Sequence, residues 1–362
     1  MPITQVEILK VLGGVIDPNL KTDYVSANAV KDIAINGADI SLTIEMGYPA
    51  KSLHDSIAEK VRTALRAVDS VGSVNVNIRT QIISHAFQTG LRAIKGVKNI
   101  IAISSGKGGV GKSTTTANLA LALAGEGARV GVLDADIYGP SQPTIMGISE
   151  KPTASDGENL DPIEQYGLQL MSIGFMMDSV QPLAWRAPMI TQALMQLLEQ
   201  TAWKELDYLL IDMPPGTGDI QLTLSQKAPM TGAVVVTTPQ EVAVLDAQKG
   251  LMMFQKMHVD VLGIVENMSA WVCPCCGEVT HIFGQDGGKR MSEIYGVPSL
   301  GQVPINADMC AHTDGGMPAV IADPEGLMAR IFRDIAHKVS AAIARKSKDM
   351  TGMFPPIKVV AP

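Results

Sequence analysis

Gly106-Lys107-Gly108-Gly109-Val110-Gly111-Lys112-Ser113-Thr114 fits the pattern G-x-x-x-x-G-K-[ST] and decides the fold of most of this 362-residue chain. Glycines at these positions let the backbone curl until several N–H groups point at the oxygens of a phosphate. The positive end of the helix that follows adds to them. Lys112 is placed to reach the β and γ phosphates of ATP, and the Ser113 hydroxyl to ligate Mg²⁺. The context agrees: residues 100–103 read as a short buried strand, and residues 112–124 as a helix.

Outward from this loop, short apolar runs alternate with helical spacing. Residues 128–133, 208–211, 233–237, 261–265 and 300–303 read as strands, and residues 242–257 as a helix. That alternation predicts an α/β fold, a P-loop NTPase with a mostly parallel sheet covered by helices on both faces. Leu209-Leu210-Ile211-Asp212 ends a strand in an acid, as a carboxylate beside Mg²⁺ requires, and runs into the stiff loop Met213-Pro214-Pro215-Gly216-Thr217-Gly218-Asp219. Asp134-Ala135-Asp136 closes another strand at the same carboxyl edge. Either acid there positions Mg²⁺ or the attacking water, or else merely caps the next turn. Lys107 is not required by the pattern.

Residues 1–80 read as a separate small α+β domain. Two strand-like runs flank the turn Asn36-Gly37, Leu53, Ile57, Val61, Leu65 and Val68 repeat at helical spacing, and Val74, Val76 and Ile78 alternate as in a half-buried strand. Residues 81–97 are expected to be a linker with some helical character, 98–346 the ATPase domain, and 347–362, with Pro355-Pro356, a flexible tail. Hydrophobic residues at 46% and charged residues at 18% suit a globular protein, and a net charge of −7 argues against coating nucleic acid. No basic leader and no long apolar run is present, so the expectation is a cytoplasmic protein with no membrane partner.

The sequence GKGGVGKST resembles the deviant Walker A ATPases, the group that includes MinD, ParA, the nitrogenase iron protein and the Mrp-type iron–sulfur carriers. The likeness to the Mrp-type carriers covers about residues 95–345. It rests on residues 106–114, 134–141 (DADIYGPS), 212–219 (DMPPGTGD), 265–269 (VENMS) and the Cys-Pro-x-Cys-Gly run at 273–277. The resemblance implies that Lys107 acts in trans across an ATP-bound dimer, that Asp136 orients the attacking water, that Asp212 sits by Mg²⁺ and that Asn267 reads the adenine. The leading domain is similar to one found in Fe–S assembly factors. Some of those carry a cysteine after the second strand, where this chain has Gly47-Tyr48-Pro49-Ala50-Lys51.

Three of the four cysteines fall in Cys273-Pro274-Cys275-Cys276. The C-x-x-C spacing of Cys273 and Cys276 lets two thiolates converge on one metal centre. A 4Fe–4S cluster or a structural Zn²⁺ usually takes four protein ligands, so the simplest arrangement is a homodimer in which each copy gives two. The favoured reading is an ATP-hydrolysing carrier that holds a 4Fe–4S cluster at that interface and hands it to apo iron–sulfur proteins. One rival is a MinD/ParA-like positioning ATPase, suggested by the stripe Leu327, Ile331, Phe332, Ile335, Val339, Ile343. The other is a zinc-bridged targeting ATPase with a Met-rich groove drawn from Met171, Met176, Met177, Met189, Met195, Met252, Met253 and Met257.

Overall fold

The computed structural model describes residues 3–155, 157–176 and 187–349. Helix α1 (Gln5–Leu12) starts from a capping box: the Thr4 hydroxyl accepts from the Glu7 N–H, and the Glu7 carboxylate accepts from the Thr4 N–H. Strands β1 (Val30–Asn36) and β2 (Asp39–Met46) form a hairpin about Gly37, whose φ of +64° is one that glycine adopts without a steric penalty. Helix α2 (His54–Arg66) then leads to β3 (Val74–Thr80), which pairs parallel with β2. Ile8, Leu12, Ile57, Val61 and Leu65 bury the helical faces against Leu42 and Ile44 of this three-stranded sheet.

Residues 81–96 form no helix, contrary to the expectation of helical character. The segment is held instead by isolated anchors. Ile82, His85 and Ile94 are buried, and His85 bridges to Lys348. The Ala86 N–H donates to the Ser347 carbonyl at 2.9 Å, and the Asp349 N–H to the Ser84 carbonyl at 3.1 Å. Residues 350–362 of the expected tail, and Met177, lie outside the described residues.

From β4 (Val97–Ser105) onward the chain builds a nine-stranded sheet. After helix α3 (Lys112–Gly125) come β5 (Val130–Asp134), α4 (Gln142–Ile145), β6 (Ile163–Gln165), β7 (Leu168–Ser172) and α5 (Ala187–Gln200). Next follow β8 (Leu206–Asp212), α6 (Asp219–Lys227), β9 (Gly232–Thr237), α7 (Glu241–Lys256), β10 (Val261–Val272) and β11 (Val279–Thr280). Helix α8 (Gly287–Tyr295), β12 (Ser299–Ile305), α9 (Ala307–Asp314), α10 (Ala319–Ala322) and α11 (Leu327–Ala344) complete it. The order is β11-β10-β9-β4-β8-β5-β7-β6, with β12 also on β10; only β6 and β11 run antiparallel.

Alternation along the central strands sets the layers. Ile101 and Ile103 of β4 and Tyr208 and Leu210 of β8 enter one core with α3 and α11. Ile100 and Ala102, with Leu209 and Ile211, enter the other against α5, α6 and α7. The stripe that suggested a membrane-seeking helix is spent here: Phe332, Ile335, Val339 and Ile343 of α11 are fully packed in the first core. Of the methionines, Met171 and Met253 are core, while Met176, Met189 and Met252 are exposed.

Helix α3 runs from the phosphate loop to the small sheet, and Glu126 closes its far end. Its buried carboxylate accepts from the Ser52 N–H and hydroxyl, both at 2.9 Å, and lies 3.0 Å from His337 Nε2. Burial works to raise this acid's pKa. The His337 contact, with the two Ser52 donors, outweighs it and holds the carboxyl below its ordinary value. Glu126→Ala is expected to cost about 3 kcal/mol in urea unfolding, because it strands buried donors from two elements. An unfolding midpoint equal to that of the unaltered protein would disprove this.

Candidate functional site

Parallel register carries the acids to one edge. Ile103 of β4 pairs with Asp212 of β8, Asp212 with Asp134 of β5, and Asp134 with Ser172 of β7. The loop between β4 and α3 therefore sits over a row of strand ends, where ligands of open α/β sheets bind. Gly109 and Gly111 take φ of +78° and +80°. A Cβ on Gly108 or Gly109 would meet nothing, leaving the loop's inner face open, whereas one on Gly106 would strike the backbone of Asp246 and Ala247 in α7. Gly111 is the N-cap of α3 without a side-chain cap. The first-turn N–H groups are thus left for an anion. A cleft of about 510 Å³ opens here, lined among others by Lys107, Ser113, Asp136, Pro215 and Asp314.

Lys112 is the centre of charge. Its buried ammonium donates to Asp212 Oδ1 at 2.5 Å and to Ser113 Oγ at 3.2 Å, with Asp136 Oδ2 3.6 Å away. Asp212 Oδ1 also accepts from Thr116 Oγ1 at 3.2 Å, and Oδ2 from Gln142 Nε2 at 2.8 Å. Asp134 is fully buried and accepts from the N–H groups of Asp136 and Gln142 and from the Ser172 hydroxyl. Burial first, then the nearby Asp212 carboxylate, pushes its pKa up to about 7. Burial also raises that of Asp136, against the pull of Lys112.

These residues fit a nucleotide with a divalent cation. The loop supplies uncapped N–H groups, Lys112 and Ser113 adjoin, and Asp212 offers hard oxygen ligands. Lys107 makes no ion pair or hydrogen bond through its ammonium among the described residues, while its carbonyl accepts from Ser105 Oγ at 2.9 Å. Asn267, at 4% exposure, donates Nδ2 to the Val110 carbonyl at 2.9 Å, so it braces the phosphate loop from below. Sequence reasoning missed Gln142 and Thr116. The first directly follows the quoted DADIYGPS run, and the second lies one helical turn beyond Lys112, where its hydroxyl also bonds the Lys112 carbonyl.

Cys273, Cys275 and Cys276 lie apart from this cleft, on the turn between β10 and β11. The Gly277 N–H donates to the Cys273 carbonyl and the Cys273 N–H to the Glu278 carbonyl, both at 2.9 Å, which makes a tight knuckle. The backbone N–H of Cys276, then that of Cys275, hold the Cys273 thiol below its ordinary pKa. Cys275 and Cys276 are exposed and Cys273 half-buried. Among the described residues no group of three or more His, Cys, Asp or Glu side chains is placed to hold a metal ion. Cys310 stands alone on α9, and His281 is engaged by the Ser269 carbonyl at 3.0 Å.

Comparison with known proteins places both parts of the chain. Residues 96–340 match the ParA family described as the NUBPL iron-transfer P-loop NTPase, and residues 5–78 match the iron–sulfur cluster assembly protein family. An iron–sulfur cluster carrier protein of Pseudomonas fragi is 51% identical over 278 residues, 76% of this chain and 97% of that protein. Its counterpart in Escherichia coli K12 is 45% identical over 327 residues, 90% of this chain and 89% of its own. That in Synechocystis is 44% identical over 347 residues, 94% and 98%. A nucleotide-binding protein of Archaeoglobus fulgidus, solved in complex with ADP, superposes with a TM-score of 0.58 at 40% identity, over 66% of this chain and 93% of that one. A phosphate loop over a row of strand-end acids, matched along most of its length by this family, makes the chain an ATPase that belongs to the NUBPL iron-transfer P-loop NTPases.

Proposed function

We propose that this ATPase carries a 4Fe–4S cluster as cargo between two copies of the chain, held by Cys273 and Cys276 of each, and delivers it to apo iron–sulfur proteins. The observation that carries the reading is the incomplete knuckle. A half-buried Cys273 thiol and an exposed Cys276 thiol share one tight turn, and no group of three or more His, Cys, Asp or Glu side chains is placed there to hold a metal ion among the described residues. Around them Trp271, Val272, Val279 and Ile282 expose apolar surface, as a face awaiting a partner would. A second copy supplies both the missing thiolates and the cover. A cluster on four thiolates at such a surface seam is held loosely enough to be passed on. Thiols so exposed also need a reducing compartment, which makes the cytoplasm the proposed location.

In the nucleotide site Ser113 and Asp212 would hold Mg²⁺, which would neutralise charge on the phosphates of ATP. Lys112 would leave Asp212 for those phosphates, and Asp136 would orient the attacking water. Lys107, unpaired within its own chain among the described residues, would reach the partner's nucleotide. Asn267 would contribute to adenine binding from beneath the loop. Metal analysis after anaerobic purification tests the carrier reading. About four irons and four sulfides per dimer are expected for the cluster type proposed. Stoichiometric zinc without iron, persisting after reconstitution with iron and sulfide, would replace the carrier with a zinc-bridged ATPase.

A further inference from the structure

Gln142 is the first residue of α4, shortly after the Asp134–Asp136 turn, and it is 1% exposed. Its Nε2 donates to the Ser113 carbonyl at 3.0 Å and to Asp212 Oδ2 at 2.8 Å. Both partners only accept, so the orientation of the carboxamide is forced, with the amino group on that side. Its own N–H donates to Asp134 Oδ2 at 3.1 Å. One residue therefore ties the first turn of α3 to the ends of β5 and β8.

The other end of the same carboxamide is left over. Gln142 Oε1 is buried with no hydrogen-bond partner among the described residues. A buried acceptor left unmade costs about 1–3 kcal/mol. It is the Nε2 end of this amide that meets the backbone of Ser113 and the carboxylate of Asp212, the two residues assigned to the divalent cation.

We propose that Gln142 is a positioning residue of the ATPase centre: through Nε2 it fixes Asp212, the carboxylate assigned to Mg²⁺, at the cost of an unpaired Oε1. The inference rests on the Ser113–Asp212 seat for Mg²⁺ argued above. It also gives Asp212 a division of labour. Oδ2 stays with Gln142 through the cycle, while Oδ1, held by Lys112 and Thr116, is the oxygen that changes partner.

The test is the affinity of the full-length protein for ATP, measured by calorimetry in Mg²⁺ and again in EDTA. Gln142→Leu keeps most of the volume and removes both ends of the amide. Gln142→Asn keeps the amide but shortens its reach, and it serves if the leucine variant does not fold. Outer-shell partners of a metal typically contribute 10- to 100-fold, so the advantage that Mg²⁺ gives to ATP binding should fall about tenfold in either variant. Affinity in EDTA should stay near that of the unaltered protein. A merely structural role would lower both affinities together and leave their ratio alone, and that result overturns the proposal. An unaltered protein that binds ATP equally with and without Mg²⁺ would overturn the cation seat itself, and the proposal with it.

Discussion

Replacing Cys273 and Cys276 together by serine is expected to abolish iron and sulfide binding while ATP hydrolysis stays within about twofold, since a hard oxygen is a poor ligand where soft thiolate is needed. The two halves of this expectation come from the same geometry. The knuckle stands at the β10–β11 turn, and the phosphate loop lies between β4 and α3, separated from it across the sheet by β9. Serine fits the turn without disturbing it, because the bonds that shape it, Gly277 N–H to the Cys273 carbonyl and Cys273 N–H to the Glu278 carbonyl, are made by backbone. What goes is the thiolate that the Cys276 and Cys275 N–H groups favour at position 273. Cys275→Ser alone should leave iron content unchanged, as should Cys310→Ser on α9. Iron and sulfide retained at full stoichiometry in the double variant would move the ligands elsewhere and refute the C-x-x-C assignment.

The phosphate loop was legible in the sequence because its requirement is a backbone one. Gly109 and Gly111 at positive φ, and Gly106 against the backbone of α7, leave little choice of residue. The long apolar strands were legible for a similar reason: β8 and β9 are buried along their whole length and read as continuous apolar runs. What escaped was whatever depends on lateral neighbours. Strands β6 and β7 mix polar and apolar residues on either side of Tyr166-Gly167, and β6 is an edge strand. The linker, expected to have some helical character, is instead anchored by Ile82 and Ile94, which enter two different cores. The adjacency of Asp134 and Asp212 follows from β8 lying between β4 and β5, an order that the chain does not announce. Gln142 and Glu126 belong with these, since their partners lie 70 and 74 residues away.

Lys112→Ala is expected to lower ATP hydrolysis by about 10²–10³-fold or more, the loss seen when one preorganised charge or donor on the reacting group is removed. Its effect on the ligand-free protein is the sharper test of the site. The ammonium is 6% exposed and balances Asp212 at 2.5 Å and Asp136 at 3.6 Å, with buried Asp134 next to them. Deleting it strands these carboxylates, and breaking a buried ion pair from one side costs about 3–5 kcal/mol. The deficit should depend on pH with a definite sign. Asp134 and Asp136 have folded pKa values above their ordinary value, because burial disfavours the charged form, and Lys112 opposes the shift in both. A raised carboxyl pKa destabilises the fold above the folded pKa, and the penalty fades as pH falls toward the unfolded value of about 3.9. For Asp134 in the unaltered protein that window opens at about 7. Without Lys112 both values rise further, so the variant should recover more stability than the unaltered protein between about pH 8 and pH 5. Urea unfolding of both proteins across that range measures it. A deficit of the same size at both ends would mean that Lys112 does not set the charge state of these acids, and the electrostatic account of the cleft would fall.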